Sequence, residues 1–257
     1  MSAMFPLVFL LGWFAGIFVN YIVDVMPRRR TLTQPICLDC GSEQDWVNYL
    51  FWPRKCTSCS IRRHIRIWIT EVLLAGITLW YWSSASSGIE FITGWLIIIY
   101  FSIVVIIDLE HHLILHPISL VGGVIGATIG IWRHGINHTL LGGFGGAGLM
   151  LALYLSGGLF VRYVVRRDRG DFSDQALGFG DVILGTILGL LMGWPAIVAT
   201  LIIAILLGGV FSLGYVIFSI ITRKYKAYKF IPYGPFLISG AAILFFFREI
   251  LFNYLNR

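Results

Sequence analysis

Charged residues are scarce in this chain. Asp, Glu, Lys and Arg make up only 12% of its 257 residues, whereas 58% are hydrophobic, and the mean hydropathy is +0.83. No soluble core of this length needs so much apolar sequence, so the composition indicates a multi-pass membrane protein. The net charge of +6 requires no nucleic-acid partner, because orientation in the bilayer and contact with anionic membrane lipid account for it.

The N-terminus lacks the basic segment and the small-residue cleavage site of a secretory signal, so its apolar stretch is interpreted as a retained first span. Some of the apolar runs are short enough to need tilt or flanking aromatic residues. The runs lie at residues 5–25, 67–82, 89–107, 118–132, 139–161, 179–194, 196–222 and 236–252. The sequence therefore predicts an all-α integral membrane protein with about eight transmembrane helices.

Lysine and arginine are distributed unevenly between the predicted loops. If the loop after the first span is cytoplasmic, sixteen of the nineteen basic residues face the cytoplasm, and only Arg133, Arg248 and Arg257 lie outside. This bias follows the positive-inside rule and predicts that both termini lie on the opposite side of the membrane.

Cysteine occurs in only one segment, residues 27–66, which is the one large polar insertion between spans. It holds a C-x2-C-x15-C-x2-C pattern, formed by Cys37, Cys40, Cys56 and Cys59. Each two-residue turn can direct two sulfurs at one ion, so the pattern predicts tetrahedral zinc. Two disulfides are the alternative, which a reducing cytoplasm disfavours. Four thiolates would fill the coordination sphere, so this zinc is expected to fold the cytoplasmic loop and to take no part in hydrolysis.

Two acids lie at the ends of separate predicted spans. Asp108 follows the apolar run 97–107, and Asp181 precedes another run directly after a Gly-Phe-Gly sequence. A charge in such a position is costly, so a functional role is the first hypothesis. The orientation derived from the basic residues places both acids at the cytoplasmic face. The sequence therefore predicts Asp108 and Asp181 as the paired carboxylates of an aspartic protease.

Gly178 and Gly180 flank this second acid. Without side chains, they are predicted to let a substrate strand approach the backbone beside Asp181. Gly-x-Gly-Asp alone is a weak motif, however, and a proton- or ion-coupled transporter could use the same acids. Composition and topology support the protease and the transporter equally. A membrane-anchored zinc-loop scaffold is a third hypothesis.

Glu71 lies a few residues inside the second predicted span. It is interpreted either as a further carboxylate facing the active site or as a side chain that snorkels or forms an ion pair with Arg62, Arg63 or Arg66, and the second interpretation is favoured.

Small residues recur on predicted helix faces. Gly12, Gly16 and Asn20 follow each other at four-residue spacing in the first span, which favours close helix packing with a hydrogen bond from Asn20 across the bundle, and leaves substrate contact as the alternative. The glycine-rich fourth and fifth spans also favour tight helix contacts.

Three histidines follow Asp108 at residues 111, 112 and 116. Helical spacing would align some of them with Asp108 as metal ligands. The zinc-protease pattern H-E-x-x-H is absent, so an interfacial set that solvates the helix end is favoured.

Taken together, these residues resemble the bacterial type IV prepilin peptidases, which are membrane aspartic proteases of the Gly-x-Gly-Asp type. The resemblance extends over nearly the whole chain. It includes Gly16 to Asn20 with Pro27 (the G-x-x-x-N…P element), the four cysteines, Glu71, Ile107-Asp108-Leu109, Gly178-Phe179-Gly180-Asp181, and the proline-glycine element at residues 231–236.

The resemblance implies cleavage of the short basic leader of a prepilin or pseudopilin, after a glycine, at the cytoplasmic face of the bacterial inner membrane. In many members it also implies N-methylation of the new N-terminus with S-adenosylmethionine. It divides the chain into residues 1–85, the N-terminal spans with the cysteine loop and a methyltransferase-associated region, and residues 86–257, the peptidase core.

The chain departs from the family pattern at two places. Leu115-His116 stands where the family usually has Pro-Asp, and Ile183 stands where it usually has lysine. The catalytic acids survive both changes, which therefore bear on substrate preference and methylation. The identity of the substrate and the oligomeric state are not implied.

Overall fold

A computed structural model describes residues 4–50, 54–160, 178–222 and 232–247 of the chain. These residues form eight helices: α1 Phe5–Arg29, α2 Trp46–Leu50, α3 Ile65–Ser84, α4 Gly88–His111, α5 His116–Phe160, α6 Phe179–Met192, α7 Ala196–Ile221 and α8 Gly234–Phe246. The only β-structure in this part of the chain is two isolated antiparallel bridges, Ile36 with Glu43 and Lys55 with Arg62. The all-helical prediction is confirmed.

Five of the described helices, α1, α3, α4, α5 and α7, are long and apolar enough to cross a membrane. The apolar helices α6 and α8 are shorter, at 14 and 13 residues. The prediction of several membrane spans is therefore confirmed.

One helical segment, α5, covers both the fourth and the fifth predicted spans. It is interrupted at Gly135, whose backbone has φ 79° and ψ 165°. Glycine adopts this conformation without the steric cost that a Cβ would add. Gly135 lies between the two predicted apolar runs, 118–132 and 139–161, and separates two helical halves.

The chain divides into two compact units, and the first, Met1–His111, contains α1 to α4. Helices α1 and α3 are in close contact because glycine faces the neighbouring backbone: a Cβ on Gly12 would lie 2.7 Å from Ala75 Cα, and one on Gly16 would lie 2.6 Å from Glu71 Cα. The amide of Asn20 donates a hydrogen bond of 3.1 Å to the carbonyl of Ile67. The predicted close packing and cross-helix hydrogen bond are both present.

The start of α4 is fixed by side chains. Ser87 Oγ accepts the backbone N–H of Glu90 at 3.2 Å, and the Glu90 carboxylate accepts the N–H of Ser86 at 3.0 Å. These bonds satisfy N–H groups that have no partner within the helix. From this start α4 runs for 24 residues to His111, which places Asp108 in its last turn.

The second unit, His112–Arg257, contains α5 to α8. The C-terminal half of α5 lies against α6 through facing glycines, Gly142 against Gly189 and Gly146 against Gly185. Helix α8 approaches α7 in the same way, since a Cβ on Gly240 would lie 2.6 Å from the carbonyl oxygen of Thr200. The tight contacts predicted for the glycine-rich fifth span are present. They position α6, which carries Asp181 in its first turn.

Several sequence interpretations fall outside the described residues. They concern the cytoplasmic placement of the basic residues at 162–169 and 223–229, and the end of the last predicted span.

Candidate catalytic acids and candidate metal centre

The four cysteines converge in the first unit. All four sulfurs lie within 4.8 Å of one another, with 3.7 Å between Cys37 Sγ and Cys59 Sγ and 3.6 Å between Cys40 Sγ and Cys56 Sγ. A tetrahedral zinc ion with Zn–S bonds of about 2.3 Å would hold its sulfurs about 3.8 Å apart. All four cysteines are free thiols, so the cluster has the dimensions of a metal-thiolate site, not of two disulfides.

Each cysteine pair lies in a turn of the same kind, here called a knuckle. The carbonyl of Cys37 accepts the N–H of Gly41 at 3.0 Å, and the carbonyl of Cys56 accepts the N–H of Ser60 at 3.0 Å. Gly41 and Ser60 both have left-handed backbone conformations, with φ of 71° and 58°. The repeated turn explains how two separated C-x2-C sequences present equivalent pairs of sulfurs.

The Ser42 hydroxyl lies between the knuckles, 3.0 Å from Cys40 Sγ and 3.5 Å from Cys56 Sγ. Its hydrogen bond lowers the pKa of the Cys56 thiol to about 5 and also lowers the pKa of Cys40. Burial raises the pKa of Cys37. Metal binding requires thiolates, and the hydrogen bonds from Ser42 favour the thiolate form of Cys40 and Cys56.

Glu71 is fully buried in α3, where both of its carboxylate oxygens accept hydrogen bonds of 2.8 Å from Arg54 Nη1. The Arg54 guanidinium also lies 4.7 Å from the centre of the Trp68 ring. An ion pair was part of the favoured interpretation of Glu71, but the expected partners, residues 62, 63 and 66, were wrong. Arg54 lies in the segment between the two knuckles, and its side chain reaches Glu71 of α3. The spacing of these two residues in the sequence does not reveal this contact. A role for Glu71 as a supporting carboxylate stays a prediction.

A second buried acid, Asp24, was missed by the sequence reasoning. Its side chain is fully excluded from solvent near the end of α1, and it accepts hydrogen bonds from Arg63 Nη2 at 2.7 Å and from the Tyr49 hydroxyl at 3.2 Å. Arg66 also donates to Asp24. Burial raises the pKa of Tyr49, and the charge of Asp24 raises it further, which keeps the hydroxyl protonated as a donor. The signal was present, because Asp24 ends an apolar run as Asp108 does.

Asp108 lies in the last turn of α4 and is 6% exposed. Two residues further on, the exposed Glu110 accepts a hydrogen bond of 2.8 Å from Arg66 Nη1. The end of α4 is thus tied to the start of α3 within the first unit, and Asp108 is held on the buried side of that end.

Asp181 is the third residue of α6 and is 7% exposed. Its Oδ2 accepts the backbone N–H of Gly178 at 3.2 Å, and its own N–H donates to the Gly178 carbonyl at 3.0 Å. These two bonds orient the carboxylate at the positive end of the helix dipole, where a negative charge is favoured. The sequence Gly-Phe-Gly-Asp therefore both starts α6 and fixes Asp181.

The two glycines beside Asp181 have different surroundings. A Cβ on Gly178 would meet nothing closer than Asp181 Oδ2 at 3.7 Å, whereas a Cβ on Gly180 would lie 2.9 Å from the Cβ of Ile114. Among the described residues, none fills the space beside Gly178 that substrate approach would need. The missing side chain of Gly180 admits Ile114, which gives this glycine a packing role that the sequence interpretation did not include.

Tyr233, directly before α8, is a further residue close to Asp181. Burial raises the pKa of Tyr233 to about 12, and the charge of Asp181 contributes to that rise. The proline-glycine element was interpreted in the sequence either as a cavity lining or as a plain helix boundary. The structure shows that it starts α8 and brings an aromatic hydroxyl near this acid.

Asp108 belongs to the first unit and Asp181 to the second, and their pairing stays a prediction. His111 ends α4, whereas His112 and His116 belong to the second unit. Within the described ranges, the four cysteines are the one group of three or more potential ligands close enough to share an ion.

Apolar helices with buried aspartates at their ends, together with a four-cysteine module, define a multi-helix membrane protein with candidate functional acids. Residues 95–213, which include Asp108 and Asp181, match the Type IV leader peptidase family. The match extends over somewhat less than half of the chain and shows a distant similarity to this family.

Two relatives, each named prepilin leader peptidase/N-methyltransferase, show the distance. The protein of Aeromonas salmonicida strain A449 is 25% identical over 211 residues, which cover 82% of this chain and 68% of the relative. The protein of Pseudomonas aeruginosa is 24% identical over an alignment 287 positions long, gaps included, which covers 96% of this chain and 92% of the relative. No solved structure matches the chain significantly.

Proposed function

We propose that the protein is a membrane aspartic endopeptidase that removes the basic leader of type IV prepilins or pseudopilins at the cytoplasmic face of the bacterial inner membrane. The family match at residues 95–213 and the names of the relatives support this function. The observation that carries it is the burial of two acids within the family-matched region, since Asp108 and Asp181 are each more than nine-tenths buried at the end of an apolar helix. A charge in such a position costs free energy, so its presence favours a functional role.

The proposed topology has eight spans with both termini outside. It counts α1, α3, α4, the two halves of α5 on either side of Gly135, α6, α7 and α8. Helices α6 and α8 are about 20 Å long at 1.5 Å per residue, shorter than the hydrocarbon core of about 30 Å. They would need neighbouring residues or a locally thinner bilayer to span it.

The proposed reaction needs two carboxylates that hold one proton between them. The ionised carboxylate takes a proton from water, the resulting hydroxide attacks the scissile carbonyl, and the protonated carboxyl stabilises the developing oxyanion. The C–N bond then breaks, and the leaving amine receives a proton from the pair. Bringing two carboxylates together in a desolvated site raises the affinity of the pair for that one proton.

The surroundings of Asp181 suit this task. The hydrogen bond from Gly178 and the start of α6 orient its carboxylate before substrate binds. Positioning of this kind lowers the reorganisation needed in the transition state. As far as the described residues extend, Gly178 also leaves room for a substrate backbone beside the acid.

We further propose that the cysteine cluster holds one structural zinc ion, with Cys37, Cys40, Cys56 and Cys59 as ligands. The sulfur separations of 3.6 and 3.7 Å support this assignment. A four-thiolate zinc site leaves no open coordination position, so the ion would stabilise the loop without contacting the peptide.

N-methylation with S-adenosylmethionine is supported only by the resemblance and by the names of the relatives. No described residue is assigned to it. The division into a methyltransferase-associated region at 1–85 and a peptidase core at 86–257 likewise stays a prediction.

Cleavage of prepilins in proteoliposomes tests the function. Wild type and the variants Asp108→Asn and Asp181→Asn would be offered a panel of prepilins, and leader removal would be followed by mass spectrometry. We expect wild type to remove the leader and both variants to lose at least three orders of magnitude in rate, about 4 kcal/mol of transition-state stabilisation.

Asp45→Asn is the matched control, because Asp45 is an exposed acid of the cysteine loop. It should cut like wild type. Folded Asp108→Asn and Asp181→Asn proteins that cut equally well would refute the dyad. If no protein cuts any substrate but a proton or ion gradient drives charge movement across the liposome membrane, the transporter hypothesis replaces the peptidase.

A further inference from the structure

The second knuckle, at residues 56–59, lies at the tip of a short hairpin. Lys55 and Arg62 form an antiparallel bridge below it, and the N–H of Arg63 donates to the carbonyl of Arg54 at 3.4 Å. Arg54 and Arg63 therefore face each other across the stem. Their spacing is set by the same hairpin that presents Cys56 and Cys59 to the metal site.

Both arginines extend from this stem into the ends of membrane helices. Arg54 binds Glu71 of α3, and Arg63 binds Asp24 of α1. The Arg63 guanidinium also lies 3.6 Å from the centre of the Tyr49 ring. The side chains of Arg54 and Glu71 are only 5% and 1% exposed, and those of Arg63 and Asp24 are 8% and 0% exposed. Each arginine neutralises an acid that is otherwise cut off from water.

Such pairs tolerate separation poorly. A carboxylate or a guanidinium left alone in a low-dielectric environment loses both its hydration and its partner, so both members must remain in place together. Helices α1 and α3 have little freedom at this level, because Gly16 touches the backbone of Glu71. The hairpin and the two helices should therefore move as one body.

A third arginine extends the connection to α4. Arg66, in the first turn of α3, donates to Asp24 of α1 and to Glu110 of α4. Asp24 is thus shared by an arginine of the hairpin and an arginine of α3. These ion pairs join the cysteine module directly to α1 and α3, and through Arg66 to α4.

We propose that the hairpin at residues 54–63 is a metal-dependent clamp on α1 and α3. Metal bound to the four thiolates holds the second knuckle closed, and the closed knuckle keeps Arg54 and Arg63 at the spacing that matches Glu71 and Asp24. Loss of the metal lets the stem open, withdraws the two guanidiniums and loosens the cytoplasmic ends of the helices. This inference rests on the zinc assignment proposed above, but not on peptidase activity.

Zinc release tests the clamp. If the metal stabilises the ion pairs, then the ion pairs stabilise metal binding by the same free energy, because coupling between two binding events is reciprocal. Affinity differences between variants of one site lie mostly in the dissociation rate, so weaker metal binding should appear as faster zinc release. Zinc-loaded full-length protein in detergent would be mixed with an excess of a chromogenic chelator. We expect Arg54→Gln and Arg63→Gln to release zinc at least tenfold faster than wild type. Arg62→Gln, which removes an exposed arginine of the same hairpin, should stay within twofold.

A second readout follows the helices themselves. Hydrogen exchange should become at least tenfold faster at the cytoplasmic ends of α1 and α3 when wild type is stripped of zinc, whereas α7 should not change. Unchanged exchange at α1 and α3 would overturn the clamp.

If a single variant does not fold, the double variant Arg54→Met with Glu71→Leu takes its place in the experiment. It removes both buried charges together, a change that folded proteins often tolerate. The clamp predicts that this folded protein still releases zinc at least tenfold faster, and a wild-type release rate overturns the clamp. A wild-type protein that binds no zinc overturns the zinc assignment and the clamp with it, whereas bound zinc with unchanged release in all variants overturns the clamp alone.

Discussion

Arg54 and Glu71 form a bidentate ion pair that is almost completely removed from solvent. Both carboxylate oxygens lie 2.8 Å from Nη1 of the arginine, and the two side chains are 5% and 1% exposed. One partner lies beside a cysteine knuckle and the other lies on the face of α3 that Gly16 of α1 contacts. This pair therefore joins a polar loop to the interior of a membrane-helix pair.

Replacement of Glu71 by glutamine should destabilise the protein by about 3–5 kcal/mol, because it leaves the buried Arg54 charge without a counter-charge. Unfolding in detergent, followed by circular dichroism, measures the change. Arg29→Gln is the control, since Arg29 and Glu43 form an exposed pair at 3.7 Å, which should contribute less than about 1 kcal/mol. Equal, small effects of the two substitutions would show that the buried pair does not stabilise the fold.

Replacement of Gly16 by alanine should separate α1 from α3. The added Cβ would lie 2.6 Å from Glu71 Cα, and backbone cannot yield as a side chain can, so we expect a loss of about 1–3 kcal/mol. Gly76→Ala provides the comparison within α3, where nothing lies within 4 Å of the new methyl group. That substitution should be neutral or stabilising by up to about 1 kcal/mol. The same unfolding measurement on both variants decides the prediction, and a Gly16→Ala protein as stable as wild type contradicts it.

Replacement of Gly180 by alanine should destabilise the second unit through a clash with Ile114, whose Cβ would lie 2.9 Å away. We expect a loss of about 1–3 kcal/mol. The double variant Gly180→Ala with Ile114→Ala removes the obstructing side chain, and its unfolding free energy should exceed the value expected from adding the two single effects.

The same double variant separates packing from substrate approach. If Gly180 matters only for packing, leader cleavage should recover along with stability. A stable double variant that remains inactive would support the prediction that the backbone at Gly180 contacts the substrate.

Asp181→Asn and Asp181→Ala should differ in stability even though both remove the carboxylate that we propose to be catalytic. Asparagine keeps an oxygen that can accept the N–H of Gly178, whereas alanine leaves that N–H without its partner. We expect the alanine variant to lose about 1 kcal/mol and the asparagine variant to stay within about 0.5 kcal/mol of wild type. Thermal unfolding of the two purified proteins tests this, and equal stability would mean that the cap at α6 contributes little.

Much of the helical layout followed from local sequence. Six of the helices occupy single predicted apolar runs because a bilayer demands long apolar segments with internally satisfied backbone groups. The fourth and fifth predicted runs correspond to the two halves of α5, and the non-helical backbone of Gly135 lies between them, as the separation of the two runs predicted.

The amino-acid sequence alone predicts the helical character of the chain, Asp108 and Asp181 as acids at the ends of apolar runs, and the convergence of the four cysteines. Each of these depends on short-range properties, namely apolar run length, the position of a charge within a run, and the two-residue spacing within each cysteine pair. The fold pairs Arg54 with Glu71 and places Ile114 beside Gly180. It also brings Arg63, Arg66 and Tyr49 to Asp24. These contacts join residues from different elements of the fold. They depend on the close approach of helices at glycine residues and on the position of the hairpin against α1 and α3. No local sequence pattern encodes either of these.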